Sequence, residues 1–359
     1  METYNVLGVM SGTSLDGVDI AYVKFSVDNN EWKYELLDAK IIPYSEQMRT
    51  MLTKANEKSA IRFSLLHTEY GRYLGKLLKY FIEENKLEVD FISSHGHTIF
   101  HHPEKKLTVQ IGNGAAIAAI SNYPVVCNFR TTDIALNGQG APLVPIGDKY
   151  LFREYDYCLN LGGIANISYE NNRMPSMRVG GDIVPVNIVL NYLAQQKKLP
   201  YDKDGENARN GSIDATLLQK LNALKFYTLS FPKSLGKELI TEEHILELFT
   251  SKISIEDKLR TVCEHIAFQV GKIIFQDQKN SPQHKKMLVT GGGAFNKFLI
   301  ELLREKCPVE VIVPDENIVN FKEAIIFGFL GVLRMRGEIN CLKSVTGALR
   351  DSCGGAVYL

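Results

Sequence analysis

The 359 residues are 45% hydrophobic and 23% charged, an ordinary globular composition, and at ~100–200 residues per domain this length predicts two domains, three at the outer limit. Lys plus Arg number 41 and Asp plus Glu number 41, so the formal net charge is zero and the basic surplus of a nucleic-acid binder is missing. A chain this long buries a core without staples, no apolar run is long enough to span a bilayer, and Met1-Glu2-Thr3-Tyr4 lacks the basic and apolar regions of a signal peptide, so membrane, secreted disulfide-rich and disordered classes are excluded.

The segment Tyr4 to Phe25 reads as strand, tight turn, strand. Val6 to Met10 is apolar, Ser11-Gly12-Thr13-Ser14-Leu15-Asp16-Gly17 is a turn of small polar residues, and Val18 to Phe25 is apolar again. Helical patterns follow over 45–56 and 60–84, the second with Ile61, Leu65, Tyr73, Leu77 and Phe81 near helical spacing. Phe91 to Ser94 predicts a buried strand running into His95-Gly96-His97, where the glycine points to a loop.

Cys158 to Ser168 repeats the opening plan: apolar strand, Gly162-Gly163 bend, apolar strand. Helices are expected at about 186–197, 213–223 and 241–250. The clearest helix runs from about 255 to 277, with Leu259, Val262, Cys263, Ile266, Val270, Ile273 and Ile274 on one face and Ser254 with Asp257 offering a capping box. Met287 to Thr290 is a strand leading into Gly291-Gly292-Gly293 and a helix from Asn296. Glu310 to Val313 is a further strand, and 321–336 is a helix apolar nearly all round. Polar stretches at 169–176 and 277–286 are surface loops. Cys127, Cys158, Cys263, Cys307, Cys341 and Cys353 form no C-x-x-C pair, and they read as reduced core residues of a cytoplasmic protein.

Glycine turns that leave strands present backbone N–H groups, and such nests bind anions, phosphate above all. Three occur here: Gly12 to Gly17, Gly162-Gly163 and Gly291 to Gly293. None has the G-x4-G-K-[ST] pattern of a P-loop, and the first is a hairpin rather than the strand–turn–helix of a dinucleotide site. What remains is phosphate held by two hairpins that face each other across a cleft, with the base clamped by the third turn.

Gly8-Val9-Met10-Ser11-Gly12-Thr13-Ser14-Leu15-Asp16-Gly17-Val18-Asp19 closely resembles the opening signature of the 1,6-anhydro-N-acetylmuramic acid kinases, within the actin, Hsp70 and sugar-kinase superfamily. Further blocks fit in order over essentially the full length. They include Ser94-His95-Gly96, Gln110-Ile111-Gly112, Asn128-Phe129-Arg130 with Asp133, Gly138 to Pro145, Asn160 to Asn166, Lys233-Ser234, Glu323-Ala324 and Val345 to Ala348. The resemblance implies an α/β, two-domain actin-like ATPase (ribonuclease H-like) fold with a cleft between the domains. Domain I is expected over 1–129 with a C-terminal return of about 345–359, and domain II over 130–344.

The implied reaction opens the 1,6-anhydro bridge with water and phosphorylates O6 from Mg-ATP, giving N-acetylmuramic acid 6-phosphate and ADP, as in cell-wall recycling. It requires a carboxylate base to activate water at C1, and ATP in line with O6. The family's base is the Asp of a D-T-G-P-G-N-like motif. The matching stretch is Asp182-Ile183-Val184-Pro185-Val186-Asn187, which keeps Asp, Pro and Asn, so Asp182 is the expected base, with a helix cap as its alternative role.

ATP contacts are expected at Gly12, Thr13, Ser14, Leu15, Asp16, Gly17, Val18, Asp19, Gly162, Gly163, Gly291, Gly292, Gly293 and Asn296. Mg2+ is expected at Asp16 and Asp19, because it prefers few carboxylates plus phosphate; Asp19 could equally hold the hairpin. The amino sugar is expected at His95, Gly96, His97, Arg130, Asp133, Gln139 and Glu323. Arg130 either orients a substrate carboxylate or pairs with Asp133, and Glu323 is either a sugar ligand or a helix-dipole partner. The cluster His95, His97, His101 and His102 has no carboxylate or Cys at ligand spacing, which favours polar contacts over zinc. His97 stands where the family commonly has Gln, Asn113 and Asn128 where it has Asp, and Asn137 where it has Gly. No nucleic-acid or membrane partner is expected, and a homodimer is left open. The rival functions are another sugar kinase of the superfamily and a non-catalytic actin-like nucleotide switch.

Overall fold

The computed structural model describes residues 1–12, 15–171, 177–235, 240, 248, 250–278 and 284–359. Contacts divide the chain into two units, Met1–Leu151 with Phe321–Leu359, and Phe152–Asn320. Both are α/β.

The first unit is built on β1 (Glu2–Ser11), β2 (Gly17–Asp28), β3 (Glu31–Pro43), β4 (Phe91–His102), β5 (Leu107–Ile111) and β6 (Val125–Cys127), closed by the C-terminal strand Ala356–Tyr358. β1, β2 and β3 form an antiparallel meander; β4 lies parallel to β1, and β6 parallel to β4. Val18 and Ile20 on β2 alternate with Asp19, so the two apolar residues enter the core while Asp19 faces the other side. Helix Ala60–Glu84 buries Leu66, Tyr70, Leu74, Leu78 and Phe81 against the same core. Helix Glu316–Arg336 lies close over β1: a Cβ on Gly8 would stand 2.1 Å from the Ala324 carbonyl oxygen. Only a glycine permits that approach, which brings Glu323 to the Asp19 side of the sheet.

The second unit repeats the plan. β7 (Tyr157–Leu161), β8 (Ile164–Glu170) and β9 (Arg178–Pro185) form a meander, and β10 (Lys286–Thr290) and β11 (Glu310–Ile312) add in parallel, in the order β11-β10-β7-β8-β9. The first sheet runs β6-β4-β1-β2-β3 over the corresponding strands. Each meander therefore starts on a hairpin whose turn carries one of the glycine motifs. This is the ribonuclease H-like arrangement expected from the resemblance. Helix Ile255–Gln278 packs its predicted face into this core, and Ser254 Oγ accepts from Asp257 N at 3.0 Å as the first half of the capping box.

Several local expectations are corrected. His95-Gly96-His97 lies inside β4 rather than in a loop; Gly96 takes φ +75° and the β1–β4 register shifts beside it, so the glycine makes a bulge. The last long helix starts at Glu316 rather than at 321. By contact, residues 130–151 and 321–344 group with the first unit. The reason is packing: a Cβ on Gly147 would meet Ile326 side-chain atoms 2.5 Å away, so the helix Pro145–Leu151 and the helix Glu316–Arg336 belong to one core. The expected helix at 241–250 lies almost wholly outside the described residues. All six cysteines are free, five of them buried, and no described helix is long and apolar enough to cross a membrane.

Candidate active site

In the first unit the hairpin turn between β1 and β2 carries Gly12, Leu15, Asp16 and Gly17, while Thr13 and Ser14 lie outside the described residues. Leu15 takes φ +60° with its N–H on the Gly12 carbonyl at 3.4 Å, and Asp16 Oδ1 accepts from Gly17 N at 3.0 Å. Val18 is fully buried in the core, so its side chain packs rather than faces a ligand. Asp19 is pushed up to about 7, by burial first and then by the charges of Asp16 and Glu323. Asp19 thus feels two other carboxylates, Asp16, expected with it at a metal, and Glu323, expected at the sugar. Glu323 is also raised, by burial, against the pull of Arg130 and Lys322. It sits in the third turn of its helix, too far from the N-terminus for the dipole role.

The Asp19 shift has a testable consequence. A carboxyl whose folded pKa exceeds its unfolded value stabilises the fold below the unfolded value and loses that contribution as pH rises through the folded one. The neutral variant Asp19→Asn is expected to match wild type in denaturation midpoint near pH 4 and to exceed it at pH 8. Equal midpoints at both pH values would show that Asp19 is not so perturbed.

Arg130 does not pair with Asp133. Its Nε donates to His95 Nε2 at 3.0 Å and its NH1 to the Gly140 carbonyl at 2.7 Å, above the Phe327 ring. Since His95 Nε2 accepts, Nδ1 carries the proton and donates to the Gly96 carbonyl at 2.9 Å. Burial and the Arg130 charge hold His95 well below its ordinary pKa, so it is a neutral prop for the guanidinium. Asp133 is buried elsewhere in the network: Oδ2 accepts from Gly140 N at 2.7 Å, and Oδ1 from Thr346 Oγ1 at 2.7 Å and Cys341 Sγ at 3.1 Å. It ties the Gly138–Gly140 loop to the end of the chain, and Gln139 follows with its N–H on the Thr346 carbonyl. His97 Nδ1 meets Ser11 Oγ at 3.1 Å, and Ser11 joins Tyr44 and Tyr70 in a ring of three buried hydroxyls. The tyrosines carried no sequence signal beyond apolar periodicity. Among the described residues no group of three or more His, Cys, Asp or Glu side chains is placed to hold a metal.

In the second unit the other two glycine turns meet. β7 and β10 are parallel neighbours, Asn160 opposite Thr290, so both turns leave the same sheet edge. Gly291 takes φ +81°, and a Cβ there would stand 2.4 Å from Asn160 Oδ1; one on Gly293 would stand 2.7 Å from the Leu161 side chain. Gly292 is open to solvent. Asn187 Nδ2 donates to the carbonyls of Leu161 at 3.1 Å and Gly162 at 2.8 Å, bracing the Gly162-Gly163 turn. Asn296 caps the helix Lys297–Lys306 through Oδ1 on Leu299 N at 3.0 Å, so that oxygen already has a backbone role.

Asp182 is half-buried on β9, the edge strand of this sheet. Its Oδ2 accepts from Leu235 N at 2.8 Å and Ser234 Oγ at 3.1 Å, while its own N–H donates to the Lys233 carbonyl at 3.0 Å. Oδ1 has no hydrogen-bond partner among the described residues. Burial raises its pKa, against the two hydrogen bonds and the Lys233 charge. The helix-cap alternative fails, because the next helix starts at Asn187 with Val186 at the cap position. One carboxylate oxygen is thus anchored and the other is available to take a proton.

The departures from the family motif turn out to be backbone-compatible. Asn113 caps its helix through Oδ1 on Ala116 N at 2.9 Å, a role Asn and Asp share. Asn137 takes φ +63°, which Asn tolerates in place of Gly. Asn128 takes φ +60° and accepts from Thr131 Oγ1. Ile183, Val184 and Val186 are all buried in the core of the second unit, and Val186 has φ −119°, which needs no glycine.

The chain matches the family model described as anhydro-N-acetylmuramic acid kinase over residues 4–359. It is 33% identical over 369 residues to the anhydro-N-acetylmuramic acid kinase of Pseudomonas savastanoi pv. phaseolicola, covering 98% of both chains. It is 34% identical to that of Vibrio cholerae serotype O1, covering 98% of this chain and 97% of the relative. Bacillus thuringiensis (strain Al Hakam) supplies another at 32%, covering 97% and 96%. Among solved structures, a ROK family glucokinase from Streptomyces griseus in complex with glucose and AMPPNP aligns over 91% of this chain and 98% of that one at 10% identity, with a TM-score of 0.41, a similarity too slight to bear on function.

Proposed function

Membership of the anhydro-N-acetylmuramic acid kinase family makes this chain a sugar-kinase phosphotransferase, and on that premise we propose that it hydrolyses the anhydro bridge and phosphorylates O6 in one event. In this reading Asp182 Oδ1 takes a proton from water as the water oxygen bonds to C1. The C1–O6 bond breaks, O6 bonds to the γ-phosphorus of ATP, and ADP leaves. The products are N-acetylmuramic acid 6-phosphate and ADP. The observation that carries the reading is the Asp182 carboxylate, anchored through Oδ2 by Leu235 N and Ser234 Oγ with Oδ1 unengaged among the described residues. A general base needs that asymmetry: an oriented group with a lone pair to spare. Its partial burial and raised pKa bring proton affinity closer to neutral pH.

The other residues take roles their surroundings support. The turns at Gly12–Gly17, Gly162-Gly163 and Gly291–Gly293 supply backbone for the phosphates. Arg130, propped by His95, offers a guanidinium face suited to the substrate carboxylate. Glu323 faces the same neighbourhood as a sugar-hydroxyl acceptor. Asp16 and Asp19 suit Mg2+: they are hard oxygen donors with mutual repulsion that a dication relieves, and Mg2+ needs only one or two carboxylates beside phosphate oxygens. When bound, the ion would neutralise charge on the polyphosphate.

The test is turnover in ¹⁸O-water with a brief reaction time and mass spectrometry of the phosphorylated sugar. One solvent oxygen at C1, with ADP release dependent on the anhydro sugar, is expected. Unlabelled product, or ADP release with an intact hexose alone, would assign another sugar kinase reaction.

A further inference from the structure

A cavity of about 590 Å³ opens in the second unit, on the far side of the segment that holds Asp182. Its walls include β9 at Val179 and Ile183, the stretch from Tyr227 to Lys233, and one face of the helix Ile255–Gln278. Gln269, Lys272, Ile273 and Gln276 recur at helical spacing along that face, so the helix presents amides and an ammonium to the cavity. Lys233 comes from the opposite wall. The size is that of a small-molecule site.

Among its described residues the wall carries two ammonium groups and one carboxylate. Lys233 Nζ lies 4.4 Å from the Phe226 ring centroid and 3.4 Å from the Phe226 carbonyl oxygen, and Lys272 Nζ lies 3.3 Å from the Tyr227 carbonyl oxygen. Neither makes an ion pair among the described residues. The carboxylate among the described residues of the wall, Asp277, is engaged by Tyr157 at 2.6 Å and by Lys285 at 3.3 Å. Burial and then the charge of Lys272 bring Lys233 down to about 8, against the pull of the Asp182 carboxylate, so the two ammonium groups feel each other. Two mutually repelling cations that face one cavity form a receptor for an anion. Around them stand Tyr169 and Phe231, whose faces suit a sugar ring, and hydroxyl and amide side chains that suit its hydroxyls.

We propose that this cavity binds a phosphate monoester of a small sugar, with Lys233 and Lys272 on the phosphate. The site stands on its own lining and needs no assumption about the reaction. A second consequence does rest on Asp182 being the base. The Lys233 carbonyl accepts from Asp182 N, and Ser234 and Leu235 hold its carboxylate. An occupant that draws in Lys233 therefore moves the anchor of Asp182.

Glucose 6-phosphate is the probe, titrated by calorimetry against the full chain, with Lys272→Met as the variant because Lys272 has no part in the Asp182 anchor. Saturable binding to wild type, weakened at least tenfold in Lys272→Met while kcat without the probe is unchanged, is expected. Glucose and inorganic phosphate, run separately, are expected to bind more weakly than the ester. No saturable binding, or binding indifferent to Lys272→Met, overturns the site. A probe-dependent change in kcat present in wild type and absent in Lys272→Met supports the coupling to Asp182. Unchanged kcat with intact binding overturns the coupling alone.

Discussion

Asp182→Asn is expected to lower kcat by about 10²–10⁴-fold while ATP affinity stays within a few-fold of wild type, because the variant removes proton transfer and little else. Asn is nearly isosteric, and its side-chain oxygen can still accept from Leu235 N and Ser234 Oγ. What it lacks is the basic lone pair of a carboxylate whose proton affinity burial raises. Water attack and O6 release are joined in one event, so sugar opening and ATP consumption should fall together. Single-turnover assays of both products, beside a nucleotide titration, measure this. Near wild-type turnover, or bridge opening that survives without phosphorylation, would remove Asp182 from the role of base.

The largest effect on stability is expected from Lys322→Met. Lys322 Nζ lies 2.6 Å from Asp148 Oδ1, and each side chain is only 4% exposed. Removing one member of a buried pair costs about 3–5 kcal/mol, whereas removing both often costs little. The pair joins the helix Pro145–Leu151 to the helix Glu316–Arg336 one residue before Glu323, whose pKa Lys322 pulls down and Asp148 pushes up. Guanidinium unfolding of Lys322→Met should show the loss in the transition of the first unit, and Lys322→Met with Asp148→Leu should recover much of it. A single variant within 1 kcal/mol of wild type would mean that Asp148 is solvated or re-paired when Lys322 is gone.

Periodicity made the long elements legible. The helix Ile255–Gln278 buries the predicted face because apolar side chains three and four apart have one way to leave water. β3 escaped because it is an edge strand whose apolar alternation, Trp32, Tyr34 and Leu36, is short and set among the exposed charges Glu31, Lys33, Glu35 and Lys40, a pattern that guards against edge pairing. Short elements such as β5, β6 and the helix Thr131–Ala135 are too brief for a period to register.

The candidate site divides along the same line. Its glycine turns, Asp182, Asp19, Arg130 and Glu323 stand out by residue type and motif, because phosphate cradles and acid–base chemistry tolerate few alternatives. The partners of those residues came only from the fold. Arg130 and Asp133, three apart in the chain, looked like a pair, yet His95 and Gly140 take the first, while Gly140 N, Thr346 and Cys341 take the second. Spacing along the chain says nothing about a neighbour 213 residues away. Local chemistry was thus written into composition and motif, whereas the pairing of buried polar groups was decided by which strands and helices the sheets bring side by side, since a desolvated donor or acceptor takes whatever partner packing puts within reach.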